Sequence, residues 1–218
     1  MKTLQILVLA LAIMQAVKVT AQNTDKTNST KNFYLKPYFG FIGLQDMSLS
    51  LSQNNLNTVV EVKTGFGYTT GISFGYNFSK NISAELGWEY KRNQATITVA
   101  NIETDGDYAS NFIYLNGFYK FSTQSNFKPY FGLGLSLIEE IDLDIGDANG
   151  TSFSDSGNLG FQGIVGLDYN FSKRWAMNLE TKYVVFQDFN MQNETTNATL
   201  NGLKYNPLIV NIGIKYRF

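Results

Sequence analysis

Charged and amide side chains recur at every second position inside segments that are otherwise strongly apolar. Glu85 and Glu89, for example, alternate with apolar residues such as Leu86. Carboxylates and amines enclosed together could conduct ions or relay protons. Alternatively, they could form salt bridges that fill an interior, because a buried charge without a partner is costly. We favour the filled interior. The full set on this polar face is Lys36, Glu85, Glu89, Lys91, Lys120, Lys128, Asp168, Asn178, Glu180, Lys182, Lys215 and Arg217.

The sequence contains no His and no Cys. General-base catalysis near neutral pH relies most often on His, and nucleophilic triads and transition-metal sites draw on His or Cys. We therefore expect a protein that is not an enzyme and that has no catalytic, cofactor or metal site. The formal net charge of −1 also lacks the basic excess that is typical of nucleic-acid-binding proteins, so we expect no nucleic-acid partner.

One acidic stretch, Glu139–Gly150, superficially resembles a calcium-binding loop. Gly146 stands where a ligand should be, and Phe153 occupies the position of the bidentate Glu, so the match fails. We predict a solvated acidic loop. Weak cation bridging to lipopolysaccharide is the alternative.

The N-terminus has the three parts of a secretory signal peptide. Lys2 is followed by the apolar run Leu4–Met14 and by the small-residue stretch Val19–Ala21. The run is shorter than the roughly 20 apolar residues of a spanning helix. We predict a cleaved signal at 1–21, a flexible polar leader at 22–32 and a single domain at 33–218 with nothing appended.

Apolar residues with a period of two predict the strands that position the charged residues. The stretch Gly65–Phe78 shows this period best, since every second residue is aromatic, Ile or Thr and the residues between them are mostly Gly. A helix would place the aromatic and Ile residues on different sides, so the pattern predicts a strand. The predicted strands are Phe33–Gly43, Gly65–Phe78, Ile82–Lys91, Ala109–Phe121, Phe127–Leu137, Gly157–Phe171, Arg174–Phe186 and Tyr205–Phe218. We expect Gly75→Ser to be far milder than Leu86→Arg or Ile72→Arg on the apolar face.

Two five-residue motifs repeat in the same order. Lys36–Gly40 recurs 92 positions later as Lys128–Gly132, and Tyr76–Lys80 recurs 93 positions later as Tyr169–Lys173. Such a match predicts four strands repeated once, in halves of approximately 33–121 and 127–218.

The predicted connections alternate in length. Short links at 79–81, 122–126 and 172–173 alternate with long polar loops at 44–64, 92–108, 138–156 and 187–204. An even number of strands with short turns on one rim and long loops on the other is typical of an outer-membrane barrel.

Periodicity alone leaves two barrels open, a membrane barrel with the apolar face outside and a soluble ligand-binding barrel with it inside. Aromatic residues such as Trp88 and Phe218 concentrate near both ends of the predicted strands, as a bilayer with two interfaces selects. The opposite face is rich in Gly, Ser and Asn, which suits a crowded interior better than a soluble exterior. These patterns favour the membrane barrel.

The signal peptide, the eight alternating strands and the alternating loops resemble the small outer-membrane β-barrel family of Gram-negative bacteria, which includes the OmpA transmembrane domain, OmpX and OmpW. The resemblance implies an all-β antiparallel up-and-down barrel of about eight strands, with four long extracellular loops and three short periplasmic turns. It also implies that the alternating C-terminal residues are a signal read by the barrel-assembly machinery: Ile212, Ile214, Tyr216 and Phe218.

The hypothesis for function follows from this resemblance. An eight-stranded barrel is only just wide enough for its own side chains, so we expect a closed barrel that presents its loops at the cell surface in a structural or interaction role. The expected partners are outer-membrane lipid, lipopolysaccharide, the assembly machinery and an extracellular ligand. The alternative is an OmpW-like narrow channel for small or hydrophobic solutes.

Overall fold

A computed structural model describes residues 33–54, 56–146, 151–193 and 195–218. The predicted signal peptide at 1–21 and leader at 22–32 lie outside the described residues. Among the residues described, no helix is long and apolar enough to cross a membrane.

The described residues form twelve antiparallel strands rather than the predicted number of about eight. The strands are β1 (Phe33–Gly43), β2 (Met47–Gln53), β3 (Leu56–Asn77), β4 (Ile82–Val99), β5 (Ile102–Lys120), β6 (Phe127–Ile145), β7 (Ser152–Asp155), β8 (Leu159–Asn170), β9 (Trp175–Phe186), β10 (Phe189–Asn193), β11 (Thr199–Leu203) and β12 (Leu208–Arg217).

Eight of these strands close into a barrel, which we call the main barrel: β1, β3, β4, β5, β6, β8, β9 and β12. The closure depends on β1, which pairs with β12 on one side and with β3 on the other. The terminal strand is therefore the neighbour of the first described one, and Phe218 N–H donates to the Phe33 carbonyl at 3.0 Å. Because the ring is closed, the main barrel leaves no strand edge unpaired.

The other four strands form a second ring above the main barrel, which we call the crown. It contains β2, β11, β10 and β7, paired in that order, and the far ends of β3, β4, β5 and β6, which complete the ring. The prediction of four long loops is therefore wrong. The segment 92–108, for instance, is a continuation of the β4–β5 hairpin that turns at Ala100 and Asn101.

The missed strands had a signal in the sequence. Thr96–Val99 alternates polar and apolar β-branched residues, and the run 48–52 alternates Ser with Leu. Both alternations are typical of half-buried strands. These segments contain more polar residues than the membrane strands, which made them resemble loops.

The two faces of β4 exchange their chemistry part-way along the strand. Below Arg92 the outward residues are apolar, as at Leu86, while above it they are polar, as at Gln94. The inward residues change in the opposite sense, from Glu89 to the buried Ile97. A strand that leaves lipid for water while remaining part of a closed ring requires this inversion.

The crown encloses an apolar core. Its buried residues come from all eight strands of that ring and from the upper ends of β1, β9 and β12. Phe112 and Tyr205 stack there with ring centroids 6.0 Å apart, and Phe112 also meets Phe186 at 5.9 Å. Such a core gives the upper ring the internal packing of a soluble domain.

Inside the main barrel, aromatic rings lie over glycines of the neighbouring strand. Tyr34 is directly opposite Gly75, and a Cβ placed on Gly75 would lie 2.1 Å from the Tyr34 ring. The same cross-strand arrangement recurs at five further pairs: Tyr38–Gly71, Tyr114–Gly87, Phe118–Gly132, Tyr130–Gly166 and Phe186–Gly160. The expectation that Gly75→Ser would be far milder is therefore wrong, since Gly75 provides the space that Tyr34 occupies.

Candidate functional site

The polar face predicted from the sequence lies on the inside of the main barrel. Four carboxylates and four lysines of that set are buried, each less than 5% exposed: Glu85, Glu89, Asp168, Glu180, Lys36, Lys91, Lys182 and Lys215. The strands that carry them alternate strictly at these positions, so the apolar partners of the same strands face outward. The buried charges form three groups.

The first group is centred on Lys36. Its ammonium lies 2.8 Å from Glu85 Oε2 and 3.1 Å from Glu180 Oε2, so one cation joins β1 to strands on two other sides of the barrel. Tyr34 donates to Glu85 Oε1 at 2.8 Å, and Ser73 donates to Glu85 Oε2 at 3.1 Å. Both oxygens of Glu85 are thereby satisfied, as a buried carboxylate requires.

The second group has Glu89 between two lysines. Lys91 lies 3.0 Å from Glu89 Oε1, and Lys182 forms an ion pair with Oε2. The Tyr38 hydroxyl also donates to Oε2 at 2.7 Å. The Lys91 ammonium stands 3.3 Å from the centroid of the Phe112 ring, so this lysine joins the polar interior to the apolar core of the crown.

The third group lies nearer the short-turn rim. Lys215 donates to Asp168 Oδ2 at 2.7 Å, and Asn178 donates to Asp168 Oδ1 at 2.8 Å. The Tyr130 hydroxyl accepts from Asn178 and donates to Glu180, both at 2.8 Å, and so links this group to the first. The first and third groups therefore form one connected network of hydrogen bonds and ion pairs.

Three members of the predicted set do not join the buried groups. Lys120, Lys128 and Arg217 lie half-buried at the short-turn rim and bond to neutral oxygens instead of carboxylates. Lys120 donates to Asn77 Oδ1 at 2.6 Å, and Arg217 donates to Asn170 Oδ1 at 2.5 Å. The seven cations of the set outnumber its four carboxylates, and the surplus collects at this opening.

Sequence reasoning missed the tyrosines that complete the network. Tyr34, Tyr38 and Tyr130 each donate to a buried carboxylate. Two of them could have been predicted from the sequence. Tyr34 and Tyr38 occupy alternate positions of β1 with Lys36 and must share its inward face. The interior is aromatic as well as ionic, which leaves its charges little water.

The outside of the crown is acidic. Its described acidic residues are Asp46, Glu61, Glu103, Asp105, Asp107, Glu139, Glu140, Asp142, Asp144, Asp155 and Asp188, against the basic residues Lys63, Arg92 and Lys204. A hydrogen bond and the nearby charge of Asp107, whose oxygen is 2.8 Å from Arg92 Nε, raise the pKa of Arg92. The predicted acidic loop at 139–150 begins as the end of β6, and the structure describes it only as far as Gly146.

A cavity of about 570 Å³ opens on this acidic wall beside Glu139, Glu140 and Asp155. The strand pairing of the wall is interrupted close by, where β7 gives way to β8. Among the described residues, no group of three or more carboxylates is arranged to hold a metal ion.

The C-terminal residues predicted to be an assembly signal all lie on the lipid-facing side of the barrel, three of them on β12 and Phe218 directly after it. Ile212, Ile214 and Phe218 are about half exposed. Tyr216 packs against Trp175 with ring centroids 4.6 Å apart and against Phe218 at 5.2 Å. These rings form part of an aromatic belt around the short-turn rim of the barrel.

The closed barrel, its apolar belt, its polar interior and the aromatic residues at its rims agree with the family whose model the sequence matches. The model of the outer membrane protein beta-barrel domain matches residues 6–218. The chain belongs to this family. Its location is accordingly the bacterial outer membrane, as the sequence predicts, and the suspected relationship to outer-membrane barrels is confirmed.

Solved structures share the fold at low sequence identity. The outer membrane protein OprG from Pseudomonas aeruginosa is 19% identical, with 86% of this chain and 95% of that one covered and a TM-score of 0.69. Neisserial surface protein A is 19% identical over 85% of this chain and 97% of that one, with a TM-score of 0.53. The outer membrane protein AlkL, solved in lipid bilayers, is 18% identical over 90% of this chain and 95% of that one, with a TM-score of 0.51. No curated protein matches the chain.

Proposed function

We propose that this protein is a non-enzymatic surface protein whose closed barrel holds the crown out for contact with partners outside the cell. The observation that carries the proposal is the filled interior. Four buried lysines and four buried carboxylates pair with one another, and tyrosine rings occupy the space between them. An eight-stranded ring packed in this way has no room for a water-filled pore.

The crown supports an interaction role because it is built like a rigid domain. Its strands pair into a ring and its core is apolar, so the exposed residues have fixed positions before any partner arrives. With eleven described acidic residues against three basic ones, the crown favours a cationic partner, or lipopolysaccharide phosphates bridged by divalent cations.

Recording from planar bilayers tests the closed barrel. The purified mature protein should give no steady single-channel conductance. The double variant Glu89→Ala/Lys182→Ala, which removes two of the three charges of the second group, should leak ions and serves as the positive control. Steady conductance from the native protein would exclude the closed barrel.

A shortened variant tests the crown. Replacing 94–107 by a two-residue turn removes the crown part of the β4–β5 hairpin and leaves the membrane part intact. Cells that carry the variant should keep the protein at the surface but lose its contribution to binding a cationic partner or lipopolysaccharide. Unchanged binding at equal surface abundance would contradict the interaction role.

A narrow channel for small or hydrophobic solutes is the second candidate. It is favoured by the apolar side chains inside the crown, which a hydrophobic solute could contact, and by the interrupted wall between β7 and β8. This function predicts faster entry of a hydrophobic solute into cells that express the protein, and slower entry after Leu200→Trp, which fills the crown interior. Equal rates with and without the protein would exclude the channel.

The role of the C-terminus in assembly remains a proposal. It is supported by the lipid-facing positions of Ile212, Ile214, Tyr216 and Phe218 on the strand that closes the barrel. Deleting Phe218 should reduce the amount of protein inserted in the outer membrane more than the crown deletion does. Normal surface abundance of the truncated chain would contradict it.

A further inference from the structure

The short-turn rim of the main barrel contains an open cavity of about 620 Å³. Five basic side chains line it: Lys80, Lys120, Lys128, Lys173 and Arg217. They come from the first turn, β5, β6, the last turn and β12, so cations approach the cavity from several sides of the ring. This size falls within the range of small-molecule sites, about 300–1,000 Å³.

No salt bridge joins a carboxylate to any of these five cations in the part of the chain that the structure describes. The salt bridges of the main barrel use other lysines, and the one carboxylate lining the cavity, Asp168, is bound to Lys215 at 2.7 Å and to Asn178 at 2.8 Å. Lys120 and Arg217 bond to amide oxygens, and Lys128 bonds to the Thr123 carbonyl. Among the described residues, the side chains around this opening therefore carry more positive charge than their carboxylate neighbours neutralise.

The location of these cations at the mouth of the barrel strengthens their electric field in the opening. Lys120 stands over the Tyr34 ring at 5.2 Å, and Lys215 stands over the same ring at 4.8 Å, so two cations lie close together at the inner side of this rim. The low-dielectric barrel wall concentrates the field of the surrounding cations in the opening. Arg174, in the last turn, adds a sixth cation to the same rim.

We propose that this opening is a binding site for a soluble anion that carries several phosphate groups. Lys and Arg are the side chains that bind phosphate most strongly, and five of them around one cavity match a ligand with several negative charges. The inference concerns the end of the barrel opposite the crown and does not rest on the proposed surface function.

A soluble ligand fits the geometry better than a lipid headgroup. Lys120 belongs to the inward set of β5, whereas its neighbours Tyr119 and Phe121 face outward. A headgroup in the surrounding bilayer meets the aromatic belt, and it would have to leave the plane of its leaflet to reach the inward lysines. A dissolved anion enters the cavity directly.

Titration of tripolyphosphate into the mature protein in zwitterionic nanodiscs tests the site, with calorimetry as the readout. We expect saturable binding of one equivalent that weakens as salt rises. Lys80→Gln/Lys173→Gln, which changes only exposed turn residues, should weaken binding at least threefold. Lys120→Gln/Lys128→Gln should weaken it at least tenfold, and a cold-SDS mobility assay checks that this variant still folds.

The matched control removes the same charge at the other end of the molecule. Lys63→Gln/Lys204→Gln on the crown should leave the tripolyphosphate affinity unchanged within twofold. Failure to saturate at physiological salt, or an equal loss in the control, would overturn the proposal. Binding that appears only as displacement of phosphatidylglycerol in anionic nanodiscs would assign the site to a lipid headgroup and also overturn it.

Discussion

The main barrel and the crown share four strands and yet obey opposite rules of burial. In the main barrel the apolar side chains face outward and charged ones fill the inside, while in the crown an apolar core lies inside and acidic residues face out. Strands β3 to β6 run through both regions without a break in the ring. The solvent outside, lipid in one region and water in the other, decides which face of each strand is apolar.

The comparison shows why the choice between a membrane barrel and a soluble barrel could not be made from any single strand. The crown has the organisation of the soluble alternative, and the main barrel has that of the membrane one. Two β-bulges, near Thr64 on β3 and near Glu139 on β6, lie close to the boundary between the regions. A bulge shifts the alternation by one residue, so it realigns a strand whose apolar face must change sides.

The largest expected difference between the two regions concerns a broken ion pair. Lys36→Met leaves Glu85 and Glu180 buried without their cation, which should cost about 3–5 kcal/mol of unfolding free energy. Lys63→Met on the crown removes one partner of an exposed pair 3.9 Å apart and should cost less than about 1 kcal/mol. Urea unfolding in lipid vesicles measures both. Similar losses would show that the interior charges are hydrated.

A second comparison places the same charge on one strand in the two solvents. Leu86→Arg faces lipid and should cost about 2–4 kcal/mol, as should Ile72→Arg on β3. Gln94→Arg points to the same side of β4 in the crown, where water solvates it, and should change stability by about 0.5 kcal/mol or less. The same urea titration applies. A large cost of Gln94→Arg would indicate that the membrane boundary lies above position 94 on β4.

A third comparison tests the pairing of glycine with aromatic rings. Gly75→Ala inserts a methyl group where the Tyr34 ring lies and should cost about 1–3 kcal/mol. Gly163→Ala on β8 has no neighbouring atom within 4 Å of the new Cβ and should be nearly neutral. Thermal unfolding followed by circular dichroism separates them. Restoration of Gly75→Ala by Tyr34→Leu would identify the ring as the cause.

The fold was predictable from the sequence where one residue type dominates each face. Strand β1 was predicted to the residue, and the inward set that includes Lys36 and Glu85 follows from alternation alone. The crown could not be predicted in the same way, because its outward residues are polar and several of its strands are short, as at β10 and β11. The partner of each charge and each glycine depends on strand register, which no single strand specifies.

The smallest expected effect concerns the exposed ion pair between Arg92 and Asp107, just above the point where the faces of β4 invert. Asp107→Asn should cost about 0.2–1 kcal/mol, because water already solvates both groups. Raising the salt concentration should remove most of this difference, whereas it should leave the cost of Lys36→Met almost unchanged. A salt-independent loss at Asp107 would mean that the lipid interface extends over this pair and that the crown begins higher on β4.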